Sequence, residues 1–146
     1  MALDRLIAFY HHLTPESVER FSEFYTADAY FKDPFNEVRG IDAIKHIFTH
    51  MFRQVEAPRF VITDQVVDAD GAMLVWNFCF QIRAWGHGKT RLIRGVSHLR
   101  FDADGKINYH RDYWDAAEEL YMTLPIIGTF MRWIQRRFST PIRDNP

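Results

Sequence analysis

The chain holds a single cysteine, Cys79, among 146 residues. One thiol forms no internal disulfide, and no Cys-Cys spacing exists to hold a structural zinc, so no metal is expected and a reducing, cytoplasmic setting is. Neither sign of charge dominates: 18 Lys and Arg stand against 19 Asp and Glu, a formal net charge of -1. The broad basic field of a nucleic-acid-binding protein is therefore missing. No stretch of about eighteen apolar residues occurs, so nothing is expected to span a membrane. Near the N-terminus Asp4 and Arg5 interrupt the apolar residues where an export signal would need continuity. Seven glycines and six prolines leave no low-complexity segment or domain linker. What is abundant is aromatic: 16% of residues, including thirteen Phe, which require a large core, an interface or an apolar cavity.

Spacing supplies the elements. Leu3, Leu6, Ile7, Phe9, Tyr10 and Leu13 mark one face of a first helix. Thr14-Pro15-Glu16-Ser17 opens a second, carrying Val18, Phe21, Phe24 and Tyr25. Tyr30 to Pro34 reads as a short strand ended by proline, and Ile41, Ile44, Ile47, Phe48 and Met51 repeat as a third helix. Beyond Pro58 the period changes to two. Strands are expected around Phe60–Val67, Met73–Trp85, Lys89–Phe101 and Lys106–Trp114, joined by Asp68-Ala69-Asp70-Gly71, Gly86-His87-Gly88 and Asp102-Ala103-Asp104-Gly105. From Asp115 to Phe138 the pattern is helical with a break near Leu124, before Pro125, and 139–146 reads as a loose tail. Helices followed by a meandering sheet predict one α+β domain over residues 1–138.

Tyr25-Thr26-Ala27-Asp28-Ala29-Tyr30-Phe31-Lys32-Asp33-Pro34 with Arg39-Gly40-Ile41-Asp42-Ala43-Ile44, and the later Gly95–Phe101 and Arg111-Asp112-Tyr113-Trp114-Asp115, resemble the nuclear transport factor 2-like superfamily in its SnoaL-like, ketosteroid isomerase-like branch. The resemblance implies a cone-shaped, curved antiparallel sheet wrapped around the N-terminal helices, a cystatin-like α+β roll, here with an extra C-terminal helix. It also implies a hydrophobic pocket inside the cone, with no cofactor. Fold alone does not fix the function.

Three residues are candidates for chemistry. Asp33, before Pro34, stands where ketosteroid isomerases keep their proton-moving aspartate; the other reading is a residue that only makes turn hydrogen bonds. Alternation on the last strand puts Asn108, His110, Asp112 and Trp114 on one face, which the resemblance turns into the cavity. Asp112 lies in a motif similar to that in which limonene epoxide hydrolases carry a general acid, and His110 beside it completes an acid/base pair. The bland alternative is a pair that satisfies a buried polar patch. Tyr10, Phe78, Phe80, Ser97 and Trp114 are assigned to substrate binding.

Departures from the family matter as much. Ser97 stands where the isomerases have a protonated acid, and a serine hydroxyl is a weaker donor. The Arg-x-Asp with which the epoxide hydrolases activate water is replaced by Trp76-Asn77-Phe78. Two readings stay open: a cofactor-free acid/base lyase, isomerase or cyclase acting on an apolar polyketide-, steroid- or lipid-like molecule, and a non-catalytic binding module for such a ligand. The other sheet face, bearing Arg94, His98, Arg111 and Tyr113, is the expected homodimer surface. Leu120, Leu124, Ile127, Phe130, Met131, Ile134 and Phe138 form an apolar stripe with Arg132, Arg136 and Arg137 largely off it. A lid or packing helix is the preferred reading there, with contact to a membrane surface as the alternative.

Overall fold

Leu6, Phe9 and Tyr10 come together on one side of α1 (Ala2–His11), and all three are buried. The computed structural model describes residues 2–83 and 89–139. The expected turn at Gly86-His87-Gly88 and nearly all of the tail lie outside the described residues. Two compact units are distinguished, Met1–Trp114 and Asp115–Pro146.

After α1, Thr14 and Ser17 bond reciprocally: the Thr14 N–H donates to Ser17 Oγ at 2.8 Å and the Ser17 N–H to Thr14 Oγ1 at 3.3 Å. They open a 3₁₀-helix, Glu16–Glu23. Side chains three apart line up in such a helix, which is why Val18, Phe21 and Phe24 are all buried. Tyr25 is four residues beyond Phe21 and falls off that line. The sequence pattern placed it in the helix; it is instead the first residue of β1 (Tyr25–Lys32), with its side chain 1% exposed.

A short β2 (Glu37–Arg39) returns antiparallel to β1. Gly40 then adopts φ +102°, a left-handed conformation that favours glycine, and its N–H donates to Ala29 O. From that corner α2 (Ile41–Gln54) sends Ile44, Phe48 and Phe52 into the core. Four long strands follow: β3 (Val55–Val67), β4 (Gly71–Ile82), β5 (Arg91–Phe101) and β6 (Ile107–Trp114). Each pairs antiparallel with the next, and the six-stranded order is β2-β1-β6-β5-β4-β3. This is the α+β architecture expected, a curved sheet around the N-terminal helices. One pairing was not legible: β1 runs parallel to β6, and no turn signal connects two strands so far apart.

The aspartate turns form as read. Asp68 Oδ1 accepts the N–H groups of Asp70 and Gly71, and Asp102 Oδ1 those of Asp104 and Lys106. One irregularity falls where backbone chemistry demands it. In β3, Ala57 has φ +49° and the register slips between Glu56 and Arg59, around Pro58, which has no N–H for the ladder. This strand lies at the sheet edge, where such a break is tolerated. In β6 the register slips between the pairs Arg100–Tyr109 and Phe101–Ile107. Asn108 is the extra residue, so strict alternation fails: Ile107 is buried and Asn108 exposed, while His110 remains inside.

In the second unit Asp115 caps α3 (Ala116–Glu119) by accepting the Glu118 N–H at 3.0 Å. A 3₁₀ turn, Tyr121–Thr123, leads to extended Leu124 (ψ 140°) and to α4 (Pro125–Phe138). The break thus falls at the residue the sequence indicated, because the position before proline is driven to extended geometry. Among the described residues no helix is long and apolar enough to cross a membrane.

Candidate functional site

The inward faces of three strands bring polar atoms together in an otherwise apolar interior. Ser97 on β5 is paired in register with Asp112 on β6 and Leu74 on β4. Trp76, two residues along β4, reaches across: its Nε1–H donates to Ser97 Oγ at 2.9 Å. The Ser97 hydroxyl donates to Asp112 Oδ1 at 2.5 Å, and His110 Nε2 lies 2.7 Å from that same oxygen. On the other side of the imidazole, Tyr25 Oη lies 2.7 Å from Nδ1, and the Tyr25 hydroxyl is hydrogen-bonded in turn to the Tyr10 hydroxyl. Among the described residues Asp112 Oδ2 accepts no hydrogen bond.

With a neutral imidazole and an ionised carboxylate, this order sets the directions. A carboxylate has no proton to give, so His110 Nε2–H is the donor; in the neutral imidazole Nδ1 is then an acceptor, Tyr25 donates to it, and Tyr10 donates to Tyr25. Two donor chains therefore converge on one carboxylate oxygen. Rings enclose the imidazole: Tyr25 stacks at 6.0 Å and 11°, and Phe31 and Tyr10 approach edge-on at 4.9 Å and 6.4 Å. His110 is 2% exposed and Ser97 7%. Beside the network lies a void of about 20 Å³, lined by Tyr10, Ser97, Trp76, His110 and Asp112 and, on its apolar side, by Phe48, Phe60, Ile62 and Leu74. That volume holds about one water molecule.

Gly95 makes the Trp76 contact possible. A Cβ at this position would stand 2.4 Å from two indole carbons of Trp76, so only glycine lets the ring lie against β5. Gly95→Ala is expected to push the indole off Ser97 and to cost roughly 1–3 kcal/mol. A lowered urea midpoint with an altered tryptophan emission would show it; an unchanged midpoint would separate Trp76 from the packing of this site.

Burial pushes both phenols up, Tyr25 well above its ordinary value, and the nearby Asp112 charge adds to the shift in each. Both hydroxyls therefore remain protonated donors throughout the neutral range. The linkage has a definite sign: the folded values lie above an unfolded value of about 10, so stability is fully present below about pH 10 and falls as pH rises toward the folded values. In an alkaline titration, phenolate absorbance from Tyr10 and Tyr25 is expected to appear only as the chain unfolds. Double replacement by Phe should remove that late step; its persistence would locate the protected phenols elsewhere.

The residues assigned from sequence separate into groups. His110, Asp112, Ser97 and Tyr10 form the network. Asp33 is not brought to it: Oδ1 accepts the N–H groups of Phe35 at 2.8 Å and Asn36 at 2.6 Å, and the Asn36 amide lies 3.1 Å from both carboxylate oxygens. Its carboxylate holds the turn after β1. Phe78 and Phe80 continue the inward face of β4 past Trp76 into a neighbouring apolar cluster with Val55 and Ile93, where Phe60 stacks on Phe78 at 4.2 Å. Trp114 packs against this cluster and meets Phe35 edge-on at 5.5 Å. None of Asp33, Phe78, Phe80 and Trp114 lines the void. Sequence reasoning missed Tyr25 and Trp76. Period-two spacing with Phe78 and Phe80 was the signal for Trp76; for Tyr25 the helical reading hid it.

Residues 6–110 match the SnoaL-like domain family. No curated protein sequence matches the chain. Among solved structures, an NTF2-like protein of unknown function from Exiguobacterium sp. 255-15 is similar at TM-score 0.66 and 21% identity, over 79% of this chain and 98% of that one. A putative SnoaL-like polyketide cyclase from Jannaschia sp. CCS1 gives TM-score 0.67 and 15% identity over 80% and 85%. An LEH-like epoxide hydrolase from M. tuberculosis gives 0.64 and 16% over 91% and 92%. At these identities the structures speak for the fold alone. The matched residues run from α1 into β6 and include Tyr10, Tyr25, Trp76, Ser97 and His110, and the chain belongs to the SnoaL-like domain family of the NTF2-like fold.

Proposed function

We propose that this protein takes up a small, largely apolar molecule bearing a carbonyl or hydroxyl group, of polyketide-, steroid- or lipid-like kind, and moves a proton on it without a cofactor, as a lyase, isomerase or cyclase. The observation that carries this reading is the asymmetry of Asp112. Its Oδ1 is held by Ser97 and His110, while Oδ2 accepts no bond among the described residues. One oxygen is thus fixed and the other is offered to a ligand. In the step proposed, Oδ2 removes a proton from the carbon beside the carbonyl, and the His110 N–H stabilises the carboxylate that is regenerated when the proton is returned. Asp33 takes no part, because its carboxylate is occupied in the turn. Entry requires the water-sized void to widen, and Phe60 and Ile62 are the walls placed to do so, since β3 is an edge strand paired on one side only. A homodimer through the outer sheet face completes the reading; there the Arg111 guanidinium lies 4.5 Å over the Tyr113 ring and His98 meets Tyr109 at 5.2 Å.

A specific observation favours the second reading, a binding module without chemistry. The Ser97 proton is given to Asp112 and the Trp76 N–H to Ser97, so neither donor is available to a developing substrate oxyanion. Proton exchange separates the two. Aromatic β-ketones would be incubated with the protein in deuterated buffer and followed by NMR. Deuterium uptake beside the carbonyl above the buffer rate is expected; saturable binding with uptake only at the buffer rate would leave the binding module in place.

A further inference from the structure

Ile62 belongs at once to the wall of the void and to an edge of the sheet. β3 is the last strand in the order β2-β1-β6-β5-β4-β3, and an edge strand presents backbone groups without a ladder partner. The Ile62 N–H finds one outside the sheet: it donates to Nε2 of His11, the last residue of α1, at 2.9 Å. The stretch it belongs to is short and bounded. Register with β4 slips between Glu56 and Arg59 and again between Ile62 and Asp64, so residues 59–62 are a panel of regular pairing between two breaks. That panel carries Phe60 and Ile62, both on the wall of the void. Phe60 stands edge-on to Trp76 at 5.9 Å, and the indole N–H of Trp76 donates into the network. A strand bends at such breaks with the least loss of ladder bonds.

We propose that His11 is a proton-released latch: neutral, its imidazole holds residues 59–62 against the end of α1, and on taking up a proton it lets go and the void opens. The chemistry is that of one lone pair. With Nε2 accepting, the neutral ring carries its proton on Nδ1, whereas the imidazolium has an N–H at both nitrogens and nothing with which to accept. Ile62 then faces a second donor. The end of α1 favours the released cation, because the carbonyls of a last helical turn carry partial negative charge, so each protonation state has its own partner. The ring is exposed, and protons reach it without any opening of the core. Ionisable groups stand on each neighbouring element: His12 on α1, whose Nδ1 lies 2.9 Å from Ala8 O; Arg59 and Asp64 on β3; Arg20 and Glu23, bonded to each other, on the 3₁₀-helix; and His110 and Asp112 behind Tyr10. Their charges set where on the pH scale the ring protonates, while the lone pair alone decides which form holds Ile62. The use of such a latch rests on the reading of the void as the place of a ligand; the latch itself is read without one.

An NMR titration of the full, isotopically labelled chain without ligand tests it. The His11 ring signals give the midpoint of its own protonation. As pH falls through that midpoint, the nitrogen–nitrogen coupling across the Ile62 N–H···Nε2 bond is expected to vanish. Exchange protection of the Ile62 amide should drop on the order of fivefold, the loss of one exposed hydrogen bond. The Trp76 indole N–H should lose protection over the same range as the void opens. His11→Gln places near Nε2 an amide oxygen that accepts and does not titrate, so both protections should stay level with pH, at the height of the neutral wild type. His11→Ala should hold both at the lower level at every pH. Ile62 protection that ignores the ring titration, or that falls in His11→Gln as it does in the wild type, overturns the latch. A responding Ile62 amide with an unmoved Trp76 indole overturns the opening. Failure of the ligand reading is a separate result, the absence of aromatic β-ketone binding at every pH, and it leaves both signals as they are.

Discussion

Asp112→Asn is expected to leave the melting temperature close to that of the wild type and to slow any proton transfer by about 10²–10⁴. The asparagine carbonyl stands where Oδ1 stood and still accepts from Ser97 and from His110 Nε2, so both chains of donors keep their end point. What changes is the second oxygen, which becomes an NH₂ group: it donates, and has no lone pair with which to take a proton. A ligand that is only bound tolerates this change, while a ligand that is deprotonated does not. Wild-type turnover by Asp112→Asn, on a substrate that the native chain converts, would reduce Asp112 to a structural residue.

His110→Ala should have the opposite profile. The side chain is 2% exposed and joins the two halves of the network. Its removal strands the Tyr25 hydroxyl without its acceptor and takes from Asp112 one of its two donors, each at a cost of about 1–3 kcal/mol. It also leaves a hollow among Tyr25, Phe31 and Tyr10. A total near 3–5 kcal/mol is of the size reported for broken buried networks and a large share of the ~5–15 kcal/mol that holds an ordinary domain together. Urea unfolding would show the midpoint falling sharply with the slope unchanged. A loss below about 1 kcal/mol would mean that the imidazole is dispensable to the core.

How far such a site is written in a sequence depends on the distance over which its determinants act. His110 and Asp112 are two residues apart on a strand, and period-two geometry alone sets them side by side. The inward placing of Phe78 and Phe80 was legible for the same reason, as were the proline break at Leu124 and the two aspartate turns. Tyr25 was hidden because α- and 3₁₀-helices share the early part of their spacing and part company at the fourth residue. Asn108 was misplaced because a bulge shifts register without leaving a signature in residue type. Asp33 shows a different difficulty. An aspartate before a proline is equally suited to a pocket rim and to a turn, and the Asn36 N–H and side-chain amide decided between them. Phe78 and Phe80 face inward as expected, yet the direction of a face does not say how far along it the polar network ends.

The parallel pairing of β1 with β6 also bears on how the molecule comes into being. The Tyr25–His110 hydrogen bond joins positions 85 apart in the chain, whereas β3, β4 and β5 each pair with the strand that follows in sequence. Contacts of such long range are entropically expensive to close and are made late. During synthesis on the ribosome, α1, β1 and α2 emerge well before β6 exists, and their aromatic faces wait without a cover. The network around His110 therefore has to wait for β6, and it exists only once both ends of the unit Met1–Trp114 have been made.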